Sequence, residues 1–572
     1  MNGEGACIVQ NDHTVLLDTG HNSFERAREL LGNIAELVKT LPSFHTYRIT
    51  PLSLWNAAAL GWTSSKTLEE LKKMSRFSLP ARVEDNIQLW MSRYGQLILL
   101  SDSEDSERMV LQFKEEASHL LQEVLKIDAL QSFDLEQVDS EYIRIKTMYR
   151  GLLKQELTKL GFPVLDKVGY RKGAPLPLDF ISQHDKPFRL RDYQEECVSA
   201  FVSEHEGQGS GVLVLPCGAG KTIIGMGVME SLQCETLILT SNITSVRQWI
   251  QELLCKTSLQ PEQIGEYSGE RKEVRPVTVS TYQILTHRAR KSEPFKHMQL
   301  LSERDWGLIV YDEVHLLPAP VFRATADIQA TRRLGLTATL VREDGCEQDV
   351  FSLIGPKQKE VGWKELEYKG WIATVECCEV RVPMQREYQA RYDQESMRGK
   401  FRISAENPVK TTVIKQLLSK HEGRQILIIG QYVEQLEKLS KELRVPLITG
   451  DTPQEQRNKL YAEFRQGIIR VLVVSKVANF AVNLPDASVA IQISGSFGSR
   501  QEEAQRLGRI LRPKAGDNHA YFYTIVSENS REQEFAVRRQ LFLIEQGYTY
   551  SIHSAESLES RDQESYITQK EA

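Results

Sequence analysis

The chain has 572 residues, of which 41% are apolar and 26% charged, and its formal net charge is −6. Its length implies about three or four domains of ordinary soluble composition. There is no global basic field, no apolar run near the ~18 residues that span a bilayer, and no disulfide or zinc framework, since the eight cysteines include no Cys-x-x-Cys pair. The first thirty residues lack a signal pattern, so a reduced cytoplasm is the expected location.

Residues 14–17 read as a strand. The amphipathic helix that follows is expected to open on a capping box of Asn22 and Glu25 and to carry Leu30, Ile34, Leu37, Val38 and Leu41 at helical spacing. Three short helices come next, at 52–60, from a start marked by Thr67 and Glu70, and at 83–94; a strand at 95–100 closes the module. Residues 44–100 fit either a helix-turn-helix variant or a packing module, and packing is favoured because no basic recognition helix is evident. The acidic stretch 101–107 reads as a solvated loop. Further helix and strand signals fill 110–170, including a helix at 149–160, before Gly173, Pro175, Pro177 and Pro187 mark a linker near 171–187.

Beyond the linker, apolar strands alternate with helices. Strands are expected at 211–215, 236–240, 277–280, 307–311 and 333–336, then at 425–429, 446–448, 470–474, 489–493 and 520–525. The fold class is therefore α/β: two tandem doubly wound parallel-sheet domains at 186–355 and 356–553, preceded by smaller α+β domains at 1–100 and 101–185. The serine- and charge-rich tail 554–572 is expected to be disordered.

The chemistry gathers at 215–222, Leu215-Pro216-Cys217-Gly218-Ala219-Gly220-Lys221-Thr222, between an apolar strand and a helix. Amides freed by the glycines and the positive helix end suit a polyphosphate. Lys221 would reach the β and γ phosphates, and the Thr222 hydroxyl would hold Mg²⁺. Leu215 stands where such loops usually begin with glycine. The strand 308–311 ends in Asp312-Glu313; Asp312 is expected to hold the metal through water, and Glu313 to polarise the water that attacks the γ-phosphate. ATP and Mg²⁺ are thus the expected cofactors. If 505–512 is helical, Gln505, Arg509 and Arg512 share one face, as guanidinium groups delivered to a triphosphate from another domain would.

The run Asp312-Glu313-Val314-His315, a DEVH box, with Thr337-Ala338-Thr339 after the next strand, resembles superfamily two of helicases and translocases. There the hydroxyl triplet links nucleotide state to domain closure. Leu190 to Gln194 resembles that superfamily's glutamine motif, which places Gln194 against adenine; the same residues also suit a helix start with a buried Tyr193. The stretches 237–249, 306–318, 334–344 and 498–509 look like the XPB family of DNA helicases, whose own phosphate loop is Leu-Pro-Cys-Gly-Ala-Gly-Lys. The resemblance covers about 186–550, and 44–100 is similar to the family's N-terminal domain. Residues 101–180 correspond in position to its damage-recognition domain.

This resemblance implies two RecA-like domains and 3′ to 5′ movement on single-stranded or forked DNA, in DNA repair. Arg342-Glu343-Asp344 matches the family's strand-separating motif, and single-strand contacts would involve Ser241, Asn242, Thr281 and Ser475. Residues 376–406 correspond to the thumb insertion, where Arg386, Arg391, Arg398, Lys400 and Arg402 either grip phosphates or, interleaved with acids, form a solvated helical pair. Ala478, Asn479 and Asn483 depart from the Gly-Asp and acid of eukaryotic members, which points to a bacterial-type member with weaker nucleotide or DNA coupling. The chain is expected to be monomeric and to rely on a separate nuclease partner for any cutting. Two alternatives stay open: an ATP-gated clamp on duplex DNA without processive unwinding, and an RNA helicase.

Overall fold

A computed structural model describes residues 5–40, 43–181, 188–202, 209–216, 218–288, 290, 295–329, 331–340, 347–475, 487–495, 506–508, 510–511, 518–548 and 550–555. The chain divides into two compact units, Met1–Leu215 with Gly220–Val361, and Pro216–Ala219 with Gly362–Ala572.

The first unit opens with β1 (Cys7–Val9), β2 (Thr14–Asp18), helix α1 (Phe24–Ile34), β3 (Glu36–Thr40) and β4 (Phe44–Arg48), an antiparallel sheet in the order β1-β2-β4-β3. The helix is shorter than its apolar spacing suggests. Ala35 turns extended, and Leu37 and Val38 pass into β3, where Leu37 is buried and Val38 is 46% exposed. Alternation of this kind is the strand period, and pairing with β4 overrides the helical one. The expected capping box does not form either: Ser23 is the N-cap, and it makes no side-chain cap bond. Helices α2 (Pro51–Ala59), α3 (Ser64–Met74) and α4 (Ala81–Arg93) follow. The α3 start lies before the predicted one. Thr63 caps it by accepting from the Lys66 amide at 3.2 Å, while Thr67 sits fully buried inside the helix.

The strand predicted at 95–100 belongs to the next sheet. There β5 (Leu97–Ser101) pairs with β6 (Arg108–Phe113) and β9 (Val164–Asp166), and β7 (Glu136–Gln137) and β8 (Tyr142–Lys146) complete the order β7-β8-β6-β5-β9. The acidic loop 101–107 is only partly solvated, because Arg144 holds Asp102 at 2.6 Å and Glu104 at 3.2 Å. Helices α5 (Leu120–Val124) and α6 (Arg150–Lys159) cover this sheet.

Helix α6 also ties the small domain to the rest of its unit. A Cβ at Gly151 would stand 2.4 Å from the Ala326 carbonyl oxygen, so the two backbones touch. Gln155 donates to Asp349 at 2.7 Å. Beside this contact Asp166 accepts from buried Arg150 at 2.8 Å and from Lys154 at 2.7 Å. Burial nevertheless pushes the Lys154 ammonium down to about 7. The expected linker is strapped down as well: the Ala174 amide donates to Asp305 and the Leu176 amide to Gln233, both at 2.9 Å. Gly173, at φ +75°, lies so close to Gly307 that a Cβ would meet its nitrogen at 2.2 Å.

The unit's large sheet follows helix α7 (Asp192–Val202). Its strands and helices are β10 (Ser210–Val214), α8 (Lys221–Leu232), β11 (Thr236–Thr240), α9 (Ile243–Lys256), β12 (Ile264–Tyr267), β13 (Val277–Thr281), α10 (Tyr282–Leu285), β14 (Leu308–Asp312), β15 (Arg332–Thr337) and β16 (Lys357–Glu360). All seven strands run parallel in the order β12-β13-β11-β14-β15-β10-β16. The five predicted strands occupy the centre, where Val, Ile and Leu are buried on both faces. The two edge strands have no such signature: β16 is Lys-Gln-Lys-Glu, and β12 contains Gly265 and Glu266.

The second unit repeats this plan with β17 (Thr374–Val382), β18 (Ile426–Gly430), β19 (Leu447–Ile448), β20 (Val471–Ser475), β21 (Val489–Gln492), β22 (His519–Ser527) and β23 (Tyr550–Ser554), ordered β19-β20-β18-β21-β22-β17-β23. Numbered within each sheet, both read 3-4-2-5-6-1-7. The strand β17 corrects the expected thumb. Residues 376–382 pair with β22 inside the sheet, and the helical pair is confined to Arg386–Gln394 and Met397–Ala405. On that pair Arg386, Arg391, Arg398 and Arg402 are exposed, with Arg402 bonded to Glu406 at 2.8 Å and to Glu434. Most of the predicted tail lies outside the described residues.

Candidate nucleotide site and the strand edge that carries it

Because the strands of the first sheet are parallel, their carboxyl ends share one edge, where ligands of such sheets bind. The chain crosses that edge at Lys221 after β10, at Ser241-Asn242 after β11, at Thr281 ending β13, at Asp312-Glu313 ending β14 and at Thr337 ending β15.

The loop after β10 turns through Gly218 at φ +86° and Gly220 at φ +79°, a region open to glycine at little cost. Gly220 is the N-cap of α8 and has a second reason to lack a side chain, since a Cβ there would stand 2.7 Å from Gln194 Nε2. Gln194 is buried, and its Oε1 accepts from the Arg191 amide at 3.0 Å. In this structure the glutamine motif therefore braces the phosphate loop. The Leu215 amide donates to the Thr337 carbonyl at 2.9 Å, which fastens the loop's start to the hydroxyl triplet. Leu215 is fully buried and Ala219 nearly so, whereas Thr222 is half-buried at the start of α8.

Lys221 reaches across the edge and donates to Glu313 Oε1 at 2.8 Å, with the two side chains 12% and 19% exposed. Glu313 is one of the few non-glycine residues with positive φ, at +52°. A left-handed backbone at a bulky residue marks strain held by its surroundings, often where function needs the side chain aimed. Next to it, Asp312 Oδ2 accepts from Trp249 Nε1 at 2.9 Å, and its carbonyl accepts from the Tyr282 hydroxyl at 2.9 Å. Burial first and the Glu313 charge second push the Asp312 carboxyl up to about 6; Lys221 opposes them. A cation brought to this carboxylate would offset both effects, and in that respect Asp312 suits the Mg²⁺ expected from the sequence.

A chain of contacts runs from the acid to the triplet. His315 Nδ1 lies 3.5 Å from Glu313 Oε2 and 2.7 Å from Thr337 Oγ1. The Thr337 hydroxyl donates to the Thr339 carbonyl at 2.6 Å and accepts from the Thr339 amide at 3.1 Å. Since that hydroxyl's one proton is committed, the arrangement assigns the Nδ1 proton to His315. Thr337, Ala338 and Thr339 are all buried.

Sequence reasoning gave no role to Trp249, Tyr282 or His315. A signal existed for Trp249: Gly225, one turn into α8, leaves room for its indole, and a Cβ there would stand 2.6 Å from Trp249 Cη2. The residues expected to meet single strands have local duties too. Asn242 caps α9 by accepting from the Ser245 amide at 2.9 Å and donates to Ser241 Oγ at 3.0 Å, and Thr281 caps α10 by accepting from Ile284 at 3.3 Å. Ser475, ending β20 in the second unit, is buried, and its hydroxyl has no partner among the described residues. Cys217, Arg342, Glu343, Asp344, Gln505, Arg509 and Arg512 lie outside the described residues, as do Ala478, Asn479 and Asn483.

Comparison with known proteins bears on the whole chain. Residues 366–572 match the family described as ERCC3/RAD25/XPB C-terminal helicase, 187–342 match the type III restriction enzyme res subunit, and 7–139 match a helicase conserved C-terminal domain. The DNA 3′-5′ helicase XPB of Mycobacterium tuberculosis is 48% identical over 97% of this chain and 99% of its own. The protein of the same name from Kineococcus radiotolerans is 46% identical over 97% and 98%. The general transcription and DNA repair factor IIH helicase/translocase subunit XPB/SSL2 of Saccharomyces cerevisiae is 31% identical over 95% of this chain and 71% of its own. With identity at that level sustained from the N-terminal sheets through both parallel sheets, this chain belongs to the XPB family of DNA helicases.

Proposed function

We propose that the chain is an ATP-driven DNA helicase that moves 3′ to 5′ and separates strands during DNA repair. The observation that carries this reading is the Lys221–Glu313 pair at the carboxyl edge of the first sheet. Partly exposed and 2.8 Å apart, the two side chains satisfy one another until a triphosphate takes the lysine. The freed carboxylate then faces the γ-phosphate as the base that orients water. Mg²⁺, when bound, would neutralise phosphate charge. Asp312 would carry its share of that ion, with one oxygen steadied by Trp249, and Thr222 would supply a hydroxyl.

In this reading, loss of the γ-phosphate is felt at Glu313, then through His315 at Thr337 and Thr339, and so reaches the edge that carries Ser241, Asn242 and Thr281. Arg509 and Arg512 would set positive charge against the transition state's phosphate oxygens, and Gln505, on the same face, would offer a neutral hydrogen bond. Ser475 would meet the strand on the second sheet, and Arg342, Glu343 and Asp344 would part the duplex. Residues 1–100 would serve as a packing module and 101–185 as a damage-recognition-like region, 186–355 and 356–553 would form the motor, and the protein would act in the cytoplasm as a monomer with a separate nuclease partner.

The test is ATP turnover with and without single-stranded, forked and duplex DNA. The reading expects stimulation by DNA that Arg342→Ala retains while losing strand separation. ATP turnover indifferent to every DNA would contradict it.

A further inference from the structure

We infer that the outer corner of the first sheet, at the carboxyl end of β12, is a second DNA-contacting platform that carries the strand beyond Thr281. The inference rests on the DNA reading above. Strand register sets the geometry: Tyr267 at the end of β12 pairs with Ser280, and Thr281 pairs with Thr240, which directly precedes Ser241. Adjacent strands lie about 4.8 Å apart. A single strand laid over Ser241 and Thr281 therefore meets the β12 corner within about two further strand spacings, roughly 10 Å.

The corner's composition suits such a ligand. The Tyr267 hydroxyl and His297 Nδ1 are 2.8 Å apart, and the rings meet edge to face with centroids at 5.7 Å. His287 lies 6.4 Å from His297 between ring centroids. Lys272 Nζ sits 5.1 Å from the Tyr267 ring, and the Arg288 guanidinium packs over Phe295 at 4.7 Å. Lys272, His287, Arg288 and Lys296 are exposed. Burial first, and the neighbouring Lys272 and Lys296 after it, hold the His297 imidazole below its usual value. Of the nearby acids, Glu270 is bonded to Arg247 at 2.7 Å, Glu266 is buried against Ser268, Glu303 acts on Tyr267, and Glu273, next to Lys272, is exposed. Exposed Lys272, Arg288 and Lys296, on a chain whose net charge is −6, supply phosphate attraction, and exposed His287 supplies a ring face, while buried Tyr267 anchors His297 from the core side.

Fluorescence anisotropy of a labelled 20-nucleotide DNA strand over a salt series tests this, with the full chain as wild type and as Lys272→Gln/Lys296→Gln. If both lysines hold phosphates, the variant's log–log salt slope falls by about 1.4, at about 0.7 for each phosphate of a single strand that is no longer neutralised. Its affinity at low salt drops severalfold, and His287→Ala weakens binding without changing the slope. Lys272 also donates to the Ser268 carbonyl, so the thermal midpoint of the variant is read beside that of the wild type, and an unchanged midpoint shows that folding is intact. Amine acetylation of the wild type gives an independent readout, in which bound DNA should protect Lys272 and Lys296. Unchanged slope and no protection, with wild-type binding intact, overturn the platform. So would loss confined to an RNA strand of the same length. Failure of the wild type to bind DNA would instead remove the reading on which the platform rests.

Discussion

The two large sheets share one strand order, and each holds a lysine–glutamate pair at 2.8 Å, yet the pairs do opposite things. Lys221 and Glu313 meet at the open edge of the first sheet. Lys410 and Glu532, in the second, are 1% and 3% exposed. Their remaining bonds are internal: Lys410 also donates to the Ile493 carbonyl at 2.7 Å, and Glu532 accepts from the Ser527 amide at 3.0 Å. Burial pulls the Lys410 ammonium down and Glu532 holds it up. In the proposed function the first pair is exchanged for a ligand, whereas the second holds a helix to a sheet. Position by position the sheets diverge in the same sense. Where β14 ends in Asp312-Glu313, its counterpart β21 ends in buried Gln492, which accepts from Arg506. Where β10 leads into a glycine loop and Lys221, β17 leads into Pro383 and two surface helices. One topology thus serves twice, and on the proposed reading only the residues at one edge make it a hydrolytic site.

The sharpest break of this comparison comes from the two lysines. Lys221→Ala should abolish ATP turnover while leaving the thermal midpoint nearly unchanged, because the pair it removes is partly solvated; steady-state phosphate release and differential scanning fluorimetry check both halves. Next, Glu313→Gln should bind ATP but hydrolyse it about 10²–10⁴-fold more slowly, the usual worth of a positioned base, as read in single-turnover quench experiments. In the second sheet the order reverses. Glu532→Ala should destabilise its unit by about 3–5 kcal/mol, the cost of leaving a buried charge without its partner, and urea titration of the full chain should show that transition moving. The smallest effect belongs to Trp249→Phe, which keeps the ring packing but removes a hydrogen bond to a carboxylate worth about 1.5–3 kcal/mol. A raised magnesium requirement for turnover, with little change in ATP affinity, is its expected signature.

Much of this was legible in the sequence, for a physical reason. Central parallel strands are buried on both faces, so β10, β11, β13, β14 and β15 announce themselves as apolar runs. The glycine loop and the paired acids then fall at strand ends, where the phosphate chemistry requires them. Edge strands carry no such mark, and β16 is wholly polar; β17, although it lies inside the sheet and is nine residues long, is also obscured, because it mixes Glu376, Glu379 and Arg381 into its run. Leu37 and Val38 fit either period, and only the neighbouring β4 decides between them. Trp249 and His315 were visible as letters of a motif, but their bonds to Asp312 and Thr337 cross 63 and 22 residues of chain. Pairings between residues so far apart leave no periodic trace.

Single-turnover hydrolysis by Glu313→Gln, beside its ATP affinity, bears most directly on the claim that the open pair is the engine. The account predicts binding near the wild-type level with the chemical step slowed at least about a hundredfold. A chemical step at the wild-type rate would place the base elsewhere and leave the Lys221–Glu313 contact an ordinary ion pair.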